Sequence, residues 1–276
     1  MPEVVPDPLT QAVIASLAHT PDARLKHIMT SLVQHLHDFA REVKLTEAEW
    51  RAGVQFLTAT GQKCDDKRQE FILLSDVLGL SMVTVAVNND KPQGCTEATV
   101  LGPFHVAGAA HFAYGEDLSN GASGLPCCVR GSVKGIGGEA VAGAVIEVWQ
   151  ADADGNYDVQ YADLDKFQAR GIVHSNDEGN YLFKTVVAEA YPIPMDGPGG
   201  DLIRATARHP WRPAHLHFMI SAPGYERLVT HVFRRGDAYI DSDVVFGVRP
   251  SLLADWLEQG DGSYLLEFDF VLNKAP

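Results

Sequence analysis

The chain has 276 residues, 46% hydrophobic and 21% charged, ordinary values for a globular protein able to bury a large core. Its formal net charge of −14 argues against nucleic acid or an anionic membrane as a partner. The opening MPEVVPDPLTQ has acidic residues and prolines where a secretory signal would be basic and then apolar. The most apolar stretch, LGLSMVTVAV, is too short and too polar to span a bilayer. Cys64, Cys95, Cys127 and Cys128 show no CxxC spacing, and adjacency suits the last two poorly for a structural disulfide. We expect reduced thiols in a cytoplasmic protein.

The front of the chain is written in helical period. Thr20 and Pro21 read as a cap followed by proline at the first helical position. Apolar residues then fall at Leu25, Ile28, Met29, Leu32, Val33, Leu36, Phe39 and Val43, one wide stripe. A second helix opens at Thr46, with Glu49 completing a capping box, and continues through Trp50, Val54 and Leu57. A third is expected from about Asp66 through FILLSDVLGLSMVTVAV. The stripe suits either a small bundle packed on the rest of the chain or a subunit interface.

From about residue 98 the period changes, which divides the chain into a helical segment, 1–97, and a β-rich body, 98–276. VLGPFHV, CCVRGSV, AGAVIEVWQA, RGIVHS, NYLFKTVV, HLHFMISA, RLVTHVF and YLLEFDFVL are short β-rich runs. Turn signals separate them at Gly137 and Gly138, Asp154 and Gly155, Asp177 to Gly179, and Pro223 and Gly224. The fold class is mainly β with an α-helical N-terminal segment, the body an antiparallel sandwich or barrel. YPIPMDGPGGD (191–201) is too rich in proline and glycine for strand or helix and is expected as an ordered loop over the sheet.

RPAHLHFMI (212–220) places His215 and His217 one residue apart in an apolar strand run. Strand residues i and i+2 share a face, so both rings aim at one volume, where a ligand joins them or their burial costs stability. His35 and His37 repeat the spacing in a helical run, where two residues turn through about 200° and the rings diverge. Only the strand pair suits chelation. Completing a metal shell leaves several candidates open: His174 and His231 as nitrogens, Asp196 and Asp201 as carboxylates. Tyr157 and Tyr191 are less usual candidates, since a tyrosine beside a turn is most often a surface residue.

EVWQADADGNYD, AYPIPMDGPGGD, RHPWRPAHLHF and SAPGY followed by LVTHVF, in that order, resemble the intradiol ring-cleaving dioxygenases, most of all the branch acting on hydroxyquinol. The similarity runs over nearly the whole chain, including TVLGPF at 99–104. It implies an antiparallel β-sandwich catalytic core and a helical segment that joins two subunits into a homodimer. By resemblance, one non-haem Fe(III) per chain has Tyr157, Tyr191, His215 and His217 as ligands. Two phenolates and two neutral imidazoles offset much of a ferric charge, and hard anionic oxygens favour Fe(III) over Fe(II). A free tyrosine ionises near pH ~10, so a bound trivalent cation has to keep these ionised.

The resemblance further implies a catecholic small molecule and O2 as substrates. Hydroxyquinol (benzene-1,2,4-triol) would open between its adjacent hydroxylated carbons to 3-hydroxy-cis,cis-muconate or maleylacetate; catechol or chlorocatechol is the alternative. Tyr191 would leave the metal when substrate arrives and take a proton. Arg212 would stabilise negative charge on the ring, unless it is a structural arginine paired with a carboxylate. By alignment the pocket walls are Leu73, Val100, Leu101, Gly102, Pro103, Phe104, Ile193, Pro194 and Val245. Asp76 is either a helix-surface carboxylate or the acceptor for a third hydroxyl. His231 either supports the site or is an ordinary strand histidine, and the role of His105 is open. The contrasting class is a metal-free sandwich module whose histidines are structural.

Overall fold

In the computed structural model, which describes residues 7–65, 68–164 and 166–276, the chain divides into two units, 1–59 and 60–276. The first holds α1 (Pro8–Ser16), α2 (Ala23–Glu42) and most of α3 (Glu47–Gln62). Helix α1 has a signal the sequence reading passed over: Asp7 accepts from Thr10 N at 3.0 Å, and Pro8 takes the first helical position. For α2 the cap is Asp22, whose carboxylate accepts from Arg24 N and Leu25 N, so Thr20 and Pro21 lie before the helix rather than opening it. The capping box at α3 is present, with Glu49 Oε2 accepting from Thr46 N at 2.9 Å and Thr46 Oγ1 from Glu49 N at 3.3 Å. None of the residues of α2 is buried; Leu25, Ile28, Leu32, Leu36, Phe39 and Val43 are all 45–56% exposed.

In the second unit the expected third helix is two, α4 (Glu70–Val77) and α5 (Leu80–Asn88), bent by 81°. The apolar run looks continuous, but Gly79 adopts φ +74°, a left-handed conformation that ends one helix and starts the next. The expected start at Asp66 lies outside the described residues. Among the described residues no single helix is long and apolar enough to cross a membrane.

The strands are β1 (Pro126–Gly135), β2 (Val145–Gln150), β3 (Arg170–His174), β4 (Asn180–Val186), β5 (Tyr191–Pro192), β6 (Trp211–Arg212), β7 (His215–Ser221), β8 (Leu228–Arg234), β9 (Leu253–Ala254), β10 (Trp256–Glu258), β11 (Tyr264–Glu267) and β12 (Phe270–Leu272). One sheet contains β10, β11, β1, β12 and β4; the other has the order β3-β2-β7-β8-β9. Both are mixed rather than antiparallel. β1 pairs β4 antiparallel but β11 and β12 parallel, and β8 pairs β9 parallel. Period-two alternation is the same for both directions, so the sequence pattern could not distinguish them.

Three further expectations change. VLGPFHV (100–106) is loop, and YLLEFDFVL is interrupted between β11 and β12. Inside 191–201, Tyr191 and Pro192 form β5, paired with β6, and α6 (Pro198–Ala205) begins within the proline-glycine run. Proline is well suited to the first helical position, and the Glu70 carboxylate accepts from Gly199 N at 2.9 Å in this first turn.

A single core joins the two sheets, with Val129, Val133, Phe183, Leu266 and Phe270 from one and Ile146, Val148, Leu216, Phe218, Ile220 and Val232 from the other. Alternation therefore sends His215, His217 and Met219 of β7 to the opposite face, with Trp149 of β2 and with His231 and Phe233 of β8. The candidate site is built on that outer face.

Candidate active site

His215 and His217 are 1% exposed, and their Nε2 atoms lie 3.2 Å apart, as the shared strand face requires. His215 Nδ1 donates to Pro213 O at 2.7 Å, which leaves Nε2 as the lone-pair nitrogen. Asp152 organises the turn after β2 by accepting from Asp154 N and Asn156 N. Gln160 Oε1 then accepts from Tyr157 N at 2.8 Å. The turn carries Tyr157 inward: it is wholly buried, and its hydroxyl is 2.8 Å from His217 Nε2 and 3.5 Å from His215 Nε2. Tyr191, on β5 and 4% exposed, brings its hydroxyl to 3.4 Å from that of Tyr157. Neither tyrosine is the surface residue that its turn context suggests.

The two phenol oxygens and two imidazole nitrogens thus converge, with measured separations of 2.8–3.5 Å. Donors bonded to one first-row metal at about 2.0–2.1 Å in a tetrahedral arrangement would lie roughly 3.3 Å apart, so the set fits a single ion. The electrostatics agree. Burial, reinforced by Arg212, lowers the His215 pKa to about 3, and burial holds His217 well below its ordinary range. Both rings are neutral and offer lone pairs. Burial pushes the Tyr157 phenol well above its usual value, so ionising it calls for a strong positive charge such as a metal.

Of the other metal-shell candidates, His231 alone joins the cluster: ring nitrogens of His215, His217 and His231 all lie within 4.8 Å of one another. Its Nε2 faces His217 Nδ1 at 2.7 Å, away from the convergence point, and its Nδ1 is hydrogen-bonded with Thr99 Oγ1 at 2.9 Å. It supports His217 from behind. His174 stacks on His111, Asp196 pairs with Lys63 and Arg68, and Asp201 pairs with Arg204.

Arg212 has the carboxylate partner that the structural alternative expects and also faces the candidate centre. Its buried guanidinium pairs with Asp243, at 3.1 Å from Nε to Oδ1, and its Nη1 lies 3.3 Å from the Tyr191 hydroxyl. Burial opposes both charges, yet Arg212 holds Asp243 below the usual carboxylate range. Trp149, unremarked in the sequence, stacks on His217 at 4.7 Å; His105 meets its edge and pairs with Glu147 at 3.1 Å.

A cavity of about 930 Å³ is lined by Tyr191 and Arg212 and by all but one of the expected wall residues: Leu73, Asp76, Val100, Gly102, Pro103, Phe104, Ile193, Pro194 and Val245. Leu101 is the exception, 41% exposed and outside the lining. Val100 is buried beside it, and Gly102 then turns with φ +76°. A Cβ at Gly102 would stand 3.0 Å from the His217 ring, so glycine is required twice over. Gln160, Tyr161, Lys166 and Phe167 also line the cavity, and no sequence signal marked them. Asp76 is 6% exposed, and burial raises its pKa.

A sandwich with a convergent tyrosine–histidine centre beside a largely apolar cavity has the donor set of a metal-dependent enzyme, and the comparisons give its family. A family model described as "Dioxygenase" matches residues 100–274, and one described as "Catechol dioxygenase N terminus" matches 22–96. The 6-chlorohydroxyquinol 1,2-dioxygenase of Cupriavidus pinatubonensis is 71% identical over 96% of each chain. The hydroxyquinol 1,2-dioxygenase of Nocardioides simplex is 50% identical over 92% of this chain and 87% of its own. The crystal structure of hydroxyquinol 1,2-dioxygenase from Pseudomonas putida superposes with a TM-score of 0.92 at 45% identity, covering 97% of this chain and 98% of that one. The chain belongs to the intradiol ring-cleavage dioxygenases, and over nearly its whole length it is similar to enzymes named for hydroxyquinol.

Proposed function

We propose that the protein is a non-haem Fe(III) enzyme that opens hydroxyquinol between its adjacent hydroxylated carbons. One triol plus one O2 would give 3-hydroxy-cis,cis-muconate or its tautomer maleylacetate, both oxygen atoms entering the product. Tyr157, Tyr191, His215 and His217 would hold one iron per chain. The observation that carries this reading is the convergence of their donor atoms, four of the six pairwise separations being 2.8–3.5 Å.

Ferric iron, when bound, would supply the Lewis acidity that draws the diol into its doubly deprotonated form and makes its ring reactive toward O2. The chain's own residues do the rest. Tyr191 would receive one of the two substrate protons on its phenolate oxygen as it gives up its place to the diol, and a hydroxide from solvent would take the other. Arg212, held by Asp243 and facing the Tyr191 hydroxyl, would stabilise the negative charge that develops on the ring. Val100, Phe104, Ile193 and Val245 would exclude water and align the ring, and Asp76 would accept the third hydroxyl.

The protein would act as a homodimer joined through its helical segment, 1–97, where the apolar faces of α2 and α3 are exposed. Its four cysteines are all free thiols, which suits the cytoplasm. Oxygen uptake with hydroxyquinol, 6-chlorohydroxyquinol and catechol side by side, on protein of measured iron content, tests the reading. Hydroxyquinol-dependent uptake with about one iron per chain is expected. The chloro compound is included because of the 71% identical relative. Faster turnover of catechol would move the protein to the catechol or chlorocatechol enzymes, and a colourless, inactive protein without iron would make it a binding module.

A further inference from the structure

We infer that Arg170 is a positioning residue for Tyr157, one guanidinium tying the turn that carries the phenol to the loop whose Phe104 ring covers it. The inference rests on the reading of Tyr157 as an iron ligand. Arg170 opens β3 and is 3% exposed. Its Nε donates to Asp158 Oδ2 at 2.7 Å and its Nη2 to Asp158 Oδ1, a two-pronged pair with the residue that follows Tyr157. Its third arm, Nη1, donates to Phe104 O at 2.9 Å. The Phe104 ring stacks on Tyr157 with centroids 4.3 Å apart and planes within 22°. The guanidinium therefore holds both sides of the phenol at once: the backbone turn beneath it and the aromatic cover above it.

The Asp158 carboxylate is fully engaged in this cluster. Its Oδ1 also accepts from Val159 N at 2.9 Å and its Oδ2 from Gln168 N at 3.1 Å, so each oxygen has two donors. A buried ion pair contributes little that apolar packing could not. This one instead fixes geometry: three donors in a rigid plane set the distance between the 158–160 turn and the 100–104 loop. Lysine offers a single charged point and cannot span both partners in that way. Phe104 also lines the cavity, so the same contact sets the pocket wall against the metal ligand.

The test compares wild type, Arg170→Lys and Phe104→Leu as iron-loaded proteins without substrate, by the tyrosinate-to-Fe(III) visible band, iron content and melting temperature, followed by kcat and KM. Arg170→Lys should shift the band and lower kcat by about 10- to 100-fold, as loss of supporting contacts to a metal ligand does, with a smaller change in KM. Phe104→Leu leaves the ion pair intact, so it should keep near-wild-type melting and still shift the band. A folded Arg170→Lys enzyme with the wild-type band and kcat overturns the inference. So does a Phe104→Leu band at the wild-type position, even if Arg170→Lys does not fold. A wild-type protein lacking any tyrosinate band would instead strike at the ligand assignment itself.

Discussion

His231 Nε2 lies 2.7 Å from His217 Nδ1, across the directly opposed pair of β8 and β7. For His217 to offer Nε2 to a metal, its Nδ1 must carry the proton and donate it to His231. His231 then donates from Nδ1 to Thr99 Oγ1. One tautomer is fixed along the whole chain of contacts, and the ring of His217 is aimed by it.

His231→Leu should therefore lower iron affinity by about 10- to 100-fold, because a buried N–H of His217 is left without an acceptor. His231→Gln, which offers a carbonyl oxygen, should lose much less. Iron remaining after dialysis against a chelator separates the two. Equal retention in His231→Leu and wild type would reduce His231 to a strand histidine.

Tyr157→Phe removes the phenol closest to His217 Nε2. The purified wild type should be red from phenolate-to-Fe(III) charge transfer, and the variant should be bleached or shifted and hold less iron. Visible spectra with metal analysis decide this. Stoichiometric zinc in a colourless, active wild type would overturn the ferric assignment.

Leu32 and Leu36 sit on the exposed stripe of α2, at 46% and 56% exposure. Replacing both with glutamate should give monomers or insoluble protein where wild type is dimeric by light scattering. A monomeric wild type would remove the subunit interface from the account.

The strand histidines were legible because period two alone puts His215 and His217 on one face, and the face opposite Leu216 and Phe218 is where the site lies. Tyr157 and Tyr191 carried no such pattern. They reach the centre through a turn organised by Asp152 and a two-residue strand, and only their resemblance to family motifs singled them out. For His231 the sequence leaves a supporting role and an ordinary strand histidine both open, because its meaning comes from the cross-strand neighbour. The misread elements share a cause. Most of VLGPFHV lines the cavity, where a Cβ on Gly102 would crowd the His217 ring, and α6 starts in a proline-glycine run whose Gly199 N–H meets Glu70, far away in the chain. Long-range partners decide such segments, and a local pattern does not contain them.

Burial raises the Asp76 pKa above its ordinary 3.8. The ionised carboxylate is thus less favourable in the folded than in the unfolded chain. This penalty is fully present above the raised pKa and vanishes as the pH falls below 3.8. Asp76→Asn should melt higher than wild type at neutral and alkaline pH, with the difference shrinking toward acid. Thermal melts across the pH range check this, and a pH-independent difference would mean that the charge is not its source.

In the proposed reading, the third hydroxyl of hydroxyquinol would be the partner of this buried carboxylate. Asp76 is among the residues lining the cavity along with Arg212 and Tyr191, while Leu73, Val100, Ile193 and Val245 around it are apolar. A charged acceptor meeting a substrate hydroxyl contributes on the order of 1.5–3 kcal/mol. That is roughly ten- to over a hundredfold in specificity. With catechol, which lacks the hydroxyl, the same buried group keeps only its hydrogen bond with Ser81 and its substrate partner is missing, which disfavours that substrate. Asp76→Ala should therefore lower kcat/KM for hydroxyquinol far more than for catechol, with iron content and the visible band unchanged, since Asp76 is not one of the four converging donors. Equal losses on the two substrates would make Asp76 structural. A gain on catechol alongside a loss on hydroxyquinol would identify the carboxylate as the residue that separates them.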